Sequence, residues 1–181
     1  ALLGGILVCA LALPEKREVR HETDRLPIGD ILRRREVTAL FAACFFMAAA
    51  HGALYVFYSI YLASHGYSTT MIGLLWTLGV VAEIVVFLYL PRLFLVFSLR
   101  AILLFSFACA VARFLMIGWG VEWLAIILFA QLLHAATFGA YHAAAVAAVN
   151  RWFAGRHQAR GQALYGSLSF GAGGMLGGLI S

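Results

Sequence analysis

The sequence predicts an all-α membrane protein with five full transmembrane helices and the tail of a sixth. Three observations predict it. Of 181 residues, 64% are hydrophobic and 12% charged, where a soluble domain carries about 45–50% apolar and about 25% charged residues. Apolar runs of roughly 20 residues, the length that crosses a bilayer core, follow one another after position 36. Twelve of the 13 Lys and Arg fall before the first span or in the 91–100 and 151–160 loops, and none fall in the 65–70 and 119–121 loops. Cations mark the cytoplasmic side, so the second pair of loops faces outward. The net charge of +5 therefore reads as topology and not as nucleic-acid binding. A multi-pass protein of the cell's inner (cytoplasmic) membrane is expected, with the lipid bilayer as its first partner.

Each element has its own signal. Ala1–Leu13 is apolar but too short to span; Ala10-Leu11-Ala12 imitates a cleavage site, yet no basic segment precedes it, so it is read as a helix tail and the chain as a fragment. Residues 14–36 are a polar, mixed-sign linker opened by Pro14 and closed by Arg33-Arg34-Arg35. The spans are expected at about 37–64, 71–90, 100–118, 122–150 and 161–181, making 37–181 one membrane domain. Ser68 or Thr69 is placed to cap the second span. Pro91 is expected to end it, and Trp119 and Trp123 to sit at the interface. The last span carries Gly173/Gly177 and Gly174/Gly178, overlapping G-x-x-x-G pairs that allow close backbone approach. Ala136, Ala140 and Ala144 form a small stripe on the fourth. Cys9, Cys44 and Cys109 match no metal or disulfide spacing and read as small buried hydrophobes.

The apolar spans contain a few residues that hydrocarbon does not reward. In the fourth, Gln131, His134, Phe138 and His142 fall within roughly 80° of helical arc. Counted inward from the outer ends, His51 lies about 20 Å deep, and Glu83 and His134 about 18 Å deep. Ionisable groups at one depth on three helices suggest a shared hydrated cavity. His51 shares a face with Tyr55 and Tyr58, and Glu83 with Trp76, Gly79 and Phe87. Such a cavity suits a small organic solute with an aromatic or polar part. Glu83 is the candidate proton carrier, since a carboxyl in a low-dielectric interior can load and release a proton near neutral pH; a structural pair with a histidine or Arg113 competes with that role. His51, His134, Gln131, Tyr55, Tyr58 and Phe138 are the candidate solute-binding residues. Arg113, about 8 Å below the outer surface, snorkels outward, pairs with Glu83 or draws in an anionic solute. His142 reads as packing or gating. No nucleophile–base or H-E-x-x-H spacing argues for an enzyme, and no metal or cofactor is expected; histidines on two helices leave haem ligation a minor alternative.

The stretches His51–Phe87 (HGALYVFYSIYLASHGYSTTMIGLLWTLGVVAEIVVF), Arg113-Phe114, Gln131–Ala144 (QLLHAATFGAYHAA) and Gly161–Gly178 (GQALYGSLSFGAGGMLGG) resemble the phenylpropionate permease branch of the major facilitator superfamily, which lies near the nucleoside–proton symporters. The resemblance implies the C-terminal half of a twelve-helix fold, with 1–13 the tail of helix six, 14–36 the cytoplasmic linker between halves, and the N-terminal half a missing partner. It implies a secondary transporter, coupling symport of a small aromatic acid to protons by alternating access. A non-transporting sensor or scaffold and a nucleoside–proton symporter are the alternatives. The resemblance also puts the third span at the periphery and makes Arg113 the odd residue out. The loop after the second span, Leu90-Pro91-Arg92, departs from the superfamily's usual acidic-basic signature.

Overall fold

The computed structural model describes residues 27–180; the expected helix tail at 1–13 and most of the linker lie outside them. All regular structure among the described residues is helical: α1 (Ile28–Leu32), α2 (Arg35–Ser64), α3 (Thr69–Val96), α4 (Leu99–Trp119), α5 (Leu124–Trp152) and α6 (Gly155–Ile180). Helices α2 to α6 are each long and apolar enough to cross a membrane.

Local chemistry sets the ends. Thr38 donates to the carbonyls of Leu32 and Arg34, tying α1 to α2. Gly66, at φ 85°, turns the chain out of α2, a backbone conformation that favours glycine. Ser68 and Ser98 cap α3 and α4 by accepting from the amides of Met71 and Ala101, satisfying donors that a helix start leaves unpaired. Tyr67 donates to the Val121 carbonyl at 2.6 Å, joining the two short turns at 65–68 and 120–123. Tyr61 donates to the Gly118 carbonyl at 3.2 Å and ties the end of α2 to the end of α4.

Two boundaries differ from the expectation. Pro91 does not end α3, which runs on to Val96. A proline forfeits one backbone bond and clashes with the preceding turn, but neighbouring groups at the membrane surface can absorb that loss. The 151–160 stretch is not a loop either: helix resumes at Gly155, and Arg156 and Arg160 sit in its first turns. Helical backbone continues past the apolar run because charged side chains reach water at the interface.

Helix α5 packs on α3 and α4, and α6 lies along α2. The α2–α6 seam is backbone against backbone. A Cβ on Gly173 would meet the Phe45 carbonyl oxygen at 2.5 Å, and Cβ atoms on Gly177 and Gly52 would collide with the carbonyls of Ala49 and Gly174. The glycines of the last span thus seat on the first span and not on the alanine stripe of the fourth. Ala140 and Ala144 are buried in one core with Val37, Phe41, Cys44 and Phe153. A second core, with Leu54, Tyr58, Leu62, Leu75 and Ile127, fills the half nearer the 65–68 and 120–123 turns.

The seam makes a stability prediction. Gly177→Val forces α2 and α6 apart and should lower the thermal unfolding midpoint in detergent by about 5 °C or more, from an overpacking cost of about 1–3 kcal/mol. Gly178→Ala, where a Cβ meets only the Val56 side chain at 3.4 Å, should leave the midpoint close to that of the parent sequence. Equal shifts in the two variants would refute the seam.

Candidate functional site

Between the two apolar cores lies a polar layer built from α2, α4 and α5. Arg113 of α4 is at its centre and is 0% exposed. Its guanidinium donates from Nη1 to His51 Nε2 and to Thr137 Oγ1, each at 3.3 Å, and from Nη2 to Gln131 Oε1 at 3.0 Å. His51 Nδ1 lies 2.9 Å from the Met47 carbonyl. Since a carbonyl only accepts, the proton sits on Nδ1, and Nε2 is left to accept from the arginine. Both His51 nitrogens are therefore engaged. Thr137 relays the layer by donating to the His134 carbonyl at 3.3 Å. Among the described residues, Gln131 Nε2 and Arg113 Nε have no hydrogen-bond partner.

In front of this layer stand His134 and Glu83. His134 Nε2 is 3.7 Å from Glu83 Oε2, and the carboxylate side chain is 15% exposed. Two glycines make room for the pair. A Cβ on Gly79 of α3 would meet His134 Cδ2 at 3.3 Å, and one on Gly139 of α5 would meet Glu83 Cγ at 3.0 Å. Each ionisable side chain thus lies against the bare backbone of the opposing helix, which any larger residue would hold off.

An aromatic face completes the site. His134 stacks on Phe138 at 5.4 Å and Phe138 on His142 at 6.2 Å, with interplanar angles of 14° and 15°. Tyr55 stacks on Trp76 at 5.8 Å and touches the His51 and Phe138 rings. Tyr55 is 46% exposed and Phe138 half-buried, so these rings border the open side. His142 continues the series to α6, where its Nδ1 meets the Tyr165 hydroxyl at 3.0 Å.

The structure reassigns several predicted residues. Arg113 does not snorkel, and among the described residues it pairs with no carboxylate; Glu83 takes His134 instead. Helix α4 is not peripheral to the polar residues, because its arginine organises them. Gln131 faces the buried guanidinium and not the open side. Gln131 and His134 lie about 60° apart on the helix, so one turns to α4 and the other to α3; the π-helical segment at Ala135–Ala140 then adds a residue to the turn and shifts Phe138 and His142 relative to Gln131. Tyr58 is buried, its hydroxyl without a partner, with its ring against Trp76 at 5.2 Å. Thr137 was not singled out, since a threonine in an apolar helix usually bonds its own backbone and the sequence holds no sign that this one also accepts from an arginine.

Known proteins bear on this architecture. No solved structure matches the chain. The chain is 38% identical over 176 residues to the probable 3-phenylpropionic acid transporter of Escherichia coli (strain K12), an alignment covering 94% of this chain and 44% of that protein. The chain thus spans less than half the length of that relative. The sequence profile of the MFS_1 like family matches residues 2–181, and with five apolar helices of spanning length this multi-pass membrane chain belongs to that family.

Proposed function

We propose that the chain is the C-terminal half of a secondary transporter of the inner membrane that moves a small aromatic acid together with a proton by alternating access. The observation that carries the reading is the layered site: a buried cation, two imidazoles and a carboxyl at mid-depth, opening on an aromatic face. A soluble-facing scaffold has no use for such groups, whereas intramembrane ionisable residues mark solute and proton pathways. The name of the Escherichia coli relative supplies the solute class, an aromatic ring with a short carboxylic acid chain.

In this reading Glu83 carries the proton. Its carboxyl lies at the front of the site beside His134, where it reaches water whenever the open side does. Tyr55 and Phe138 receive the aromatic part of the solute. His134, stacked on Phe138 and facing Glu83, backs the aromatic face from within. His51 and Gln131 act behind them by holding Arg113. The opposing wall would come from the N-terminal half.

Proteoliposome uptake under an imposed pH gradient, using the protein that carries both halves, tests the reading. Glu83→Gln should reduce gradient-driven accumulation at least about tenfold while solute exchange at equal pH persists; accumulation at the original level would remove Glu83 as carrier. A protein that binds solute yet shows no flux would point to a sensor with the same fold.

The two histidines should separate. His51→Ala deprives a buried guanidinium of an acceptor and should cost about 1–3 kcal/mol of stability. His134→Ala leaves the Arg113 bonds in place and should cost less stability than His51→Ala while weakening solute binding through loss of the ring stacked on Phe138. Thermal unfolding and equilibrium binding on both variants check this, and the reverse pattern would exchange their roles.

A further inference from the structure

Arg113 poses a charge-balance problem. Among the described residues no carboxylate pairs with Arg113, since Glu83 approaches His134 instead, and the three acceptors that Arg113 meets are neutral. Its side chain is fully enclosed, so no group from outside the chain touches it in this conformation. A buried cation without a counter-ion is costly in hydrocarbon. Gln131 sharpens the point. Its Oε1 lies 3.0 Å from Nη2, where a glutamate of nearly the same shape would neutralise the charge. An amide at that position holds the guanidinium and leaves its charge uncancelled.

The field of that charge is felt on the open side. His51 touches Arg113 with Nε2, and its ring lies 6.1 Å from Tyr55, 6.2 Å from Phe138 and 6.4 Å from His134. A solute resting on those rings is one imidazole away from the guanidinium, in surroundings of low dielectric. We propose that Arg113 is the anion-selecting charge of the site. Without touching the solute, it makes the site prefer an aromatic carboxylate, seated against Tyr55 and Phe138, over the uncharged counterpart. The inference rests on the transport reading and adds a specificity-determining residue to it. A unit charge about 8 Å away at an effective dielectric near 20 corresponds to a preference on the order of tenfold or more.

The experiment measures equilibrium binding of 3-phenylpropionate and of its neutral carboxamide, separately, to the purified protein that carries both halves, read from tryptophan fluorescence. The wild type should bind the carboxylate about tenfold or more tighter. Arg113→Gln and Gln131→Glu should each bring the ratio near one, while Arg113→Lys should retain the preference. Should Arg113→Gln fail to fold, Gln131→Glu still decides, because it keeps the guanidinium and the volume and cancels only the charge. An unchanged ratio in folded Gln131→Glu overturns the proposal, and so does loss of both ligands, since a field effect acts on the charged ligand alone. Wild type that binds both equally overturns this inference only. Wild type that binds neither overturns the transport reading with it.

Discussion

The burial of one guanidinium sets the terms for the rest of this helix bundle. Arg113 sits between two apolar cores and is held by neutral oxygen and nitrogen acceptors from α2 and α5. Hydrogen bonds from a charged donor contribute about 1.5–3 kcal/mol each, enough to offset much of the desolvation of a single cation but only with all acceptors in place. That requirement fixes the rotation of α2, through His51 and its bond to the Met47 carbonyl, and of α5, through Gln131 and Thr137. The histidine tautomer, the register of the polar layer and the direction of the aromatic face all follow from it.

The irregularity of α5 serves the same constraint. A regular helix would bring Gln131, His134 and Phe138 to one side. Gln131 and Thr137 turn to the arginine and His134 and Phe138 to Glu83 and Tyr55, while the π segment at Ala135–Ala140 resets the angle of Phe138 and of every residue after it. One helix thereby serves two faces of the site. The glycines at 79 and 139 let α3 and α5 carry the His134–Glu83 contact without a spacer between backbones.

Much of this was readable from residue order, and the reasons are physical. Hydropathy and cation alternation located the five spans because the bilayer imposes both length and charge sidedness. Depth counting brought His51, Glu83 and His134 to one level because the rise per residue is constant. Rotation about the helix axis was less legible. Helical spacing does not show that Gln131 turns to α4 while His134 turns to α3, and beyond Ala135 one inserted residue shifts every later side chain and leaves no compositional trace. Arg113 was misjudged from its depth, as snorkelling is the cheaper fate for a cation near an interface, and only the acceptors gathered around it by three-dimensional packing reverse that preference. At Pro91 and at 155–160 the local signal was real but was outweighed by helix continuity at the membrane surface.

The α2–α6 seam carries a mechanical consequence. Where Gly173, Gly177 and Gly52 bring main chain against main chain, no side chain stands between the helices to change rotamer or to slide. Packed cores resist gradual deformation and move between discrete arrangements. Helices α2 and α6 therefore behave as a single stiff strut, and any displacement within the bundle is taken up elsewhere, in the π segment of α5 and in the short turns that join the helices.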